Sequence, residues 1–373
     1  METFGEPWPE LNDGLTYKDV VPPSNTALET LVQFYSTKHN RSAPLEGWLQ
    51  RIRNGQIMVD GQVVKDPDTI LREGSELVYH RLPWREADAP YLLEVLYEDD
   101  DLVALNKPSG LQVLPGGFFQ QKTVLTQLQR RANKKASSSA GLLQVSHPVP
   151  VHRLGRGTSG ILLCAKSKLA KTRLAEYFAD GTSVIGNKRE TNVELGVKRR
   201  ITKIYRALVS GIIDNKEVVI TQPIGLIRYP GVANGLYVAS SSGKPALSKV
   251  DVLERDVQGN CTLVQVEIQS GRPHQIRIHL SFIGHPLIGD PLYDAGGHPK
   301  CFKSELGDGS FAEDGGYQRP VNPVPGDCGY YLHAHRLVLY HPITSKVIVI
   351  TATLPSILQT RDEANQKEQP QRP

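Results

Sequence analysis

The chain has 373 residues, with 43 Lys plus Arg against 39 Asp plus Glu, a formal charge of +4, 39% apolar residues and 22% charged ones. That balance excludes disorder throughout and gives length enough for a sizeable core in two domains, or in one large domain with an appendage. The longest apolar runs, such as Val347–Leu354, fall far short of the ~18 to 20 residues of a membrane-spanning helix, so no membrane association is expected.

The chain opens acidic, with Glu2, Glu6, Glu10, Asp13, Asp19 and Glu29 against Lys18, unlike a transit or signal peptide. Four cysteines, Cys164, Cys261, Cys301 and Cys328, contain no CxxC pair and point to a reducing compartment. An intracellular location, cytoplasmic or nuclear, is the expectation. Helical spacing of Leu28, Leu31, Val32 and Tyr35 predicts an amphipathic helix over 26–39, with Ser24 and Asn25 as capping candidates. A second stripe of Leu45, Trp48, Leu49 and Ile52 stops at Gly55, a residue suited to the left-handed cap. Next, QIMVDGQVV places two apolar runs about Asp60-Gly61, the favoured two-residue hairpin turn, and ILREGSELVYH reads as a closing strand.

This order of elements resembles the S4 RNA-binding module over residues 15–82. In that module the helix before the hairpin faces RNA, and the resemblance gives Arg51 and Arg53 a phosphate-contacting role. Residues 83–90 are polar and bracketed by proline, as in a linker. Residues 91–355 alternate strand-like runs (VLYEDDDLVALN, GILLCAKS, KIYRALVSG, CTLVQVEIQ, SKVIVITATL) with helical candidates in LAKTRLAEYFA and HQIRIHLSFIG. A mixed α+β fold follows. KKASSSAG, from Lys134 to Gly141, reads as a mobile loop, and the tail 356–373 as disordered.

Charge is unevenly distributed. Residues 102–175 contain no Asp or Glu but twelve Lys and Arg, among them Lys107, Arg130, Arg131, Lys134, Lys135, Arg153 and Arg156, so that stretch carries +12 and the rest of the chain −8. Surfaces ordinarily mix both signs, and a one-sided stretch of this length points to a polyanion, most simply RNA. No obligate protein partner is visible.

Within 91–355, four segments in order resemble the RluA family of RNA pseudouridine synthases: YEDDDLVALNKPSGLQV (97–113), HRLGRGTSGILLCAKS (152–167), KIYRALVSG (203–211) and SGRPHQIRIHLSFIGHPLIGDPLY (270–293), followed by LHAHRLVLYHP (332–342). The resemblance implies a mainly antiparallel sheet and a cofactor-free isomerisation. The uridine is flipped out of its stack, the ribose C1′–N1 bond is broken, and C1′ is rejoined to C5 of the turned base. It also implies an aspartate after HRL, and here that position is Gly155, with the motif unbroken on both sides. Glycine supplies neither a nucleophile nor a proton acceptor.

The other site residues are carried over by the same resemblance. Arg153 matches the arginine that fills the space left by the flipped base, and Tyr205 the aromatic that packs on it. Arg277 matches the arginine that pairs with the missing aspartate, so its charge needs another partner. Lys107 and Arg156 fall at the pocket or its RNA margin, with Arg130 and Arg131 in the basic stretch. Glu267, Asp290 and Asp294 are the nearby acids to consider as substitutes, Asp290 reading rather as a turn residue. His298, Cys301, Cys328, His333 and His335 lack the paired close spacing of a structural zinc site, so no metal is expected. Two readings share the RNA partner and differ in product: a pseudouridine synthase, and a catalytically inactive RNA-binding protein or chaperone on the same fold.

Overall fold

A computed structural model describes residues 2–23, 29–137, 147–183, 200–229, 232–300, 316 and 328–368. The described residues divide into two compact units, one built on 9–87 and one on 2–8, 88–300 and 328–368.

In the smaller unit, helices Leu31–Lys38 and Leu45–Arg53 accompany a four-stranded sheet in the order Leu15–Val20, Glu76–Arg81, Ile57–Val59, Gln62–Val64. Asp60 and Gly61 both take positive φ at the hairpin turn, as their sequence predicts. The first helix starts later than expected. Thr30 caps it, accepting from Gln33 N–H while Gln33 reaches back to Thr30 N–H, and Ser24 to Leu28 lie outside the described residues. Leu31, Phe34, Tyr35, Trp48, Ile52, Ile57, Leu77 and Tyr79 form the core.

Arg51 belongs to that core and not to an RNA-facing surface. It is 1% exposed, its guanidinium 4.6 Å from the Trp48 ring and 5.0 Å from the Tyr79 ring, and it donates to Ser42 Oγ at 3.1 Å. The phosphate-contacting role expected of it is therefore corrected, while Arg53 remains exposed on the same helix end. Within the proline-bracketed segment 83–90, Glu86 is buried and accepts from Asn12 Nδ2, so that this part is packed and not a free linker.

The larger unit is built on one eleven-stranded sheet, with two further strand pairs, Ile224–Tyr229 with Val232–Ala239 and Tyr293–Asp294 with His298–Pro299. The path of the large sheet runs through Thr3–Phe4, Leu93–Glu98, Leu102–Lys107, Ser159–Ala165, Leu332–Tyr340, Ile201–Ser210, Cys261–Ile268, Ser248–Asp256 and Glu217–Ile220, with Val347–Thr351 and Val149–Pro150 branching from it. Alternate residues enter cores on opposite faces: Val103, Leu105, Leu162 and Cys164 on one, Leu102, Ala104, Ile161 and Leu163 on the other. Helices Val124–Ser137 and Gln275–Phe282 cover the first face through Val124, Leu128, Ile276 and Leu280. Helix Lys168–Ser183 covers the second through Ala170 and Leu174.

Among the described pairings in this sheet, Ser159–Ala165 with Leu332–Tyr340 is parallel and the others are antiparallel. Parallel neighbours begin at the same sheet edge, so the loops entering these two strands lie side by side. The backbones approach closely there: a Cβ on Gly160 would stand 2.3 Å from Ala334 O, and Gly160 has φ +103°.

Two expectations of disorder give way to helices. Lys134–Ser137 complete helix Val124–Ser137, and Ser138 to Gly141 lie outside the described residues. In the tail, Leu358 is buried and Thr360 caps helix Arg361–Glu368, with Glu363 N–H donating to Thr360 Oγ1 and Thr360 N–H to Glu363 Oε2. Glu363 also takes a bidentate contact from Arg206, at 2.8 and 3.1 Å.

Candidate active site

A cavity of about 610 Å³ opens where the two parallel strands begin. The motif loops that build it are fastened by Lys107. Its ammonium is fully buried and donates to the carbonyls of Pro108, Leu111 and Arg156 at 2.8, 2.7 and 3.0 Å. Ser109 Oγ adds a bond to Gly157 O, and Gly110 N–H one to Arg156 O. NKPSG and HRLGRG are thereby joined into one wall. Lys107 shapes the pocket, and the RNA contact also considered for it is ruled out in this conformation by its burial.

His152, at the start of HRL, is structural as well. Its Nε2 accepts from Leu163 N–H at 2.9 Å and its ring stacks on Phe178. Burial, with the nearby Lys203 charge, pushes its pKa down to about 3, which keeps Nε2 an acceptor. One residue on, Arg153 is exposed at the cavity lining and, among the described residues, engages no hydrogen-bond or ion-pair partner. Arg156 also lines the cavity, its guanidinium 4.7 Å from the Phe119 ring.

Tyr205 reaches the cavity from strand Ile201–Ser210, where a bulge against Leu332–Tyr340 falls between Ile204 and Tyr205. Bulges of this kind re-aim side chains beside active sites. Burial raises the Tyr205 phenol to about 12, so it presents an uncharged flat face with a hydroxyl to the cavity.

Arg277 has a partner other than the expected aspartate. Its Nε and Nη2 donate to Asp290 Oδ2 and Oδ1, both at 2.7 Å, in a buried bidentate pair. Burial alone would lower the Arg277 pKa, but the Asp290 hydrogen bonds carry it above its ordinary value. Asp290 Oδ1 also accepts from Leu292 and Tyr293 N–H, the turn role expected of it. Both of its oxygens are thus committed.

No carboxylate lines the cavity among the described residues. Glu267 stands opposite Ile204 while Val266 stands opposite Tyr205, which turns Glu267 to the other face. Asp294 accepts from Ala295 N–H and does not line the cavity. What lies at Gly155 is the Tyr330 hydroxyl, which would be 2.9 Å from a Cβ placed there. Gly155 has an ordinary φ, so the crowding comes from the phenol and not from the backbone. Tyr330 Oη lies 3.2 Å from Thr158 Oγ1, and the Arg277 guanidinium is 4.4 Å from the Tyr330 ring.

Tyr330 was missed by sequence reasoning, although it stands two residues before LHAHRL. Its closeness to Gly155 depends on the parallel register that sets His333 against Ser159. Arg272 and His274 were also missed, though both lie within the SGRPHQIR motif and line the cavity. Arg272 Nε donates to Pro245 O, and His274 Nδ1 lies 2.8 Å from the Tyr293 hydroxyl.

The acid-free stretch finds its counter-charges elsewhere in the same unit. Arg131 pairs with Glu2 and Glu98 at 2.6 and 2.8 Å, Arg130 stands 3.9 Å from Glu6, and Lys134 stands 2.7 Å from Glu6. Lys166 pairs with Glu98 and Lys122 with Asp88. Arg130 also lies against the Trp8 ring and Arg131 against Phe4. These arginines fasten the N-terminal segment to helix Val124–Ser137, so the two positions expected to contact RNA are both engaged within the protein. Exposed positive charge at the cavity is represented by Arg153.

His333 and His335 are engaged by Ser159 Oγ and Ala352 O, and Cys301 lies outside the described residues. Asp99, Asp101 and His341 group closely enough to hold a metal ion. Their atoms are already in use: Asp99 Oδ2 accepts from Tyr97 and meets His341 Nε2, and Asp101 Oδ1 accepts from Ser167. This cluster is not part of the cavity lining.

Comparison with known proteins agrees with the reading of these motifs. Residues 101–282 match the family model described as RNA pseudouridylate synthase. The chain is 66% identical to RNA pseudouridine synthase 5 of Arabidopsis thaliana, over 97% of this chain and 98% of that one. It is 64% identical to the rice protein of the same name, over 97% and 92%. Against ribosomal large subunit pseudouridine synthase D of Vibrio parahaemolyticus the identity is 30%, over 87% and 86%. With its four motifs assembled on one cavity and likeness of this extent, the chain belongs to the RluA-type family of RNA pseudouridine synthases.

Proposed function

We propose that this chain binds RNA, swings a uridine out of its stack into the cavity and isomerises it to pseudouridine. The observation that carries the reading is the placement of Tyr205, Arg277 and the exposed Arg153 about one cavity. In this reading Arg153 enters the gap left by the extruded base, Tyr205 supplies the platform on which the freed uracil turns, and Arg277 holds positive charge beside the ribose. Residues 15–82 act as an S4-like RNA-binding module, with Arg53 at the exposed end of its second helix.

The test is release of tritium from RNA labelled at uridine C5, with wild type and Tyr205→Ala compared on RNA from the organism that makes the protein. Release by wild type that Tyr205→Ala abolishes supports the proposal, and wild type without release overturns turnover. Affinity for the same RNA should fall as salt rises. A second reading, an RNA-binding protein without turnover, is favoured by one observation: the absence of a carboxylate from the cavity lining among the described residues. It predicts the same salt-dependent binding with no product.

A further inference from the structure

The fate of the position that has lost its acid is decided by four side chains. Gly155 leaves a space beside Thr158, and that space holds the Tyr330 hydroxyl. Tyr330 is buried in protein on its other sides yet lines the cavity. Its ring lies against the Arg277 guanidinium, a fixed positive charge that favours negative charge developing on the phenol oxygen. Arg277 is in turn held by Asp290, an acid outside the cavity lining, so the pair needs no carboxylate at position 155. At the position without an acid there thus stands a phenol beside a guanidinium whose own partner is Asp290.

We propose that Tyr330 is the catalytic nucleophile of this chain, standing where a side chain at position 155 would stand. The inference rests on the isomerase reading above. Tyr330 Oη attacks C1′ of the flipped uridine and forms an Oη–C1′ bond. The C1′–N1 bond breaks with its electron pair staying on the uracil, which takes up the phenol proton. The uracil turns on Tyr205, and C5 attacks C1′. The C1′–Oη bond breaks, its pair returns to the phenolate, and the phenolate takes the proton that C5 sheds. Nothing is gained or lost overall, no external reactant is required, and two displacements at C1′ preserve its configuration. Tyrosine serves as the nucleophile in the same way in sialidases.

The experiment compares wild type, Tyr330→Phe, Gly155→Asp and the double variant Gly155→Asp/Tyr330→Phe in the tritium-release assay, with RNA affinity measured alongside. Tyr330→Phe should lower turnover by at least about a hundredfold while binding RNA within about threefold of wild type. Gly155→Asp alone should be impaired, because its Cβ meets the phenol. The double variant removes the crowding oxygen, supplies a carboxylate, and should exceed both single variants. Tyr330→Phe turning over at the wild-type rate overturns the inference and leaves the isomerase reading standing. Wild type without turnover overturns both. Should Tyr330→Phe fail to fold, RNA containing 2′-deoxy-2′-fluorouridine, whose fluorine slows departure from C1′, is incubated with wild type. A covalent adduct mapped to Tyr330 supports the inference, and an adduct on another residue or none at all overturns it.

Discussion

Asp290→Ala removes the acid that holds Arg277. The guanidinium of Arg277 is 3% exposed and the carboxylate of Asp290 1% exposed, so the substitution strands a charge away from water. Breaking a buried pair by deleting one partner costs about 3 to 5 kcal/mol. At roughly 2 to 4 °C per kcal/mol for a unit of this size, Tm should fall by about 6 to 20 °C. Leu292 and Tyr293 N–H lose their acceptor in the same step, which places the outcome toward the upper end. Thermal unfolding followed by circular dichroism reads the change. The combination Arg277→Met with Asp290→Asn removes the stranded charge and keeps an acceptor at the turn, and it should recover most of the loss. Two results would refute the reasoning: a single variant melting within about 1 °C of wild type, or a double variant no more stable than the single one.

Arg153→Ala should weaken RNA binding and turnover without moving Tm, since among the described residues Arg153 engages nothing within the protein; a Tm shift with unchanged RNA affinity would contradict the role given to it. Stability should decline in mild acid. Burial holds His152 at about 3 and His279 and His333 at about 4, each below the ordinary 6.5, with the Lys203 and His335 charges adding to the effect on His152 and His333. Below pH 6.5 the unfolded chain therefore binds more protons than the folded one. The stability is full above that value and is lost as pH falls toward 4 and then 3, a slope that denaturant titrations at stepped pH should reveal and that His152→Gln should flatten. Glu363→Gln weakens the contact that fixes the last helix to Arg206. Because Glu363 lies below the ordinary carboxyl value when folded, the same detachment should appear in wild type as pH falls below about 4.5, read by faster proteolysis after Leu358. Lys107→Met leaves the carbonyls of Pro108 and Leu111 without their donor, while Arg156 O keeps Gly110 N–H, and should cost about 1 to 3 kcal/mol per acceptor left unsatisfied, seen as a lower denaturation midpoint.

Much of the fold was legible because its signals are local. Asp60-Gly61 fixes a hairpin through the backbone freedom of two residues, and the continuous apolar runs in LVALN and GILLCA mark strands buried on both faces. The Thr360-x-x-Glu363 capping box was equally local and was overlooked, because the polar composition around it resembles a disordered tail. Charge along the chain did not locate the contacts, for a different reason. A stretch without acids says nothing about acids brought to it from elsewhere in the chain, and Glu2, Glu6, Asp88 and Glu98 supply them. Arg51 misled likewise: a helix-end arginine reads as solvated until Trp48 and Tyr79 close over it.

The sequence by itself determined the family, the order of the elements and the glycine at position 155, where the resemblance implies an aspartate, all of which are written in contiguous motifs. Only the tertiary structure decided what stands at that position. Gly155 and Tyr330 are 175 residues apart and share no motif. They meet because two strands run parallel in adjacent register, His333 beside Ser159, so that the loops feeding them arrive at one edge of the sheet. Asp290 and Arg277 are likewise joined by a turn packed on a helix, and burial of that pair sets the charge beside the Tyr330 ring. Distances across a sheet depend on register, and register is fixed by the packing of the whole core, which no single segment of the chain contains.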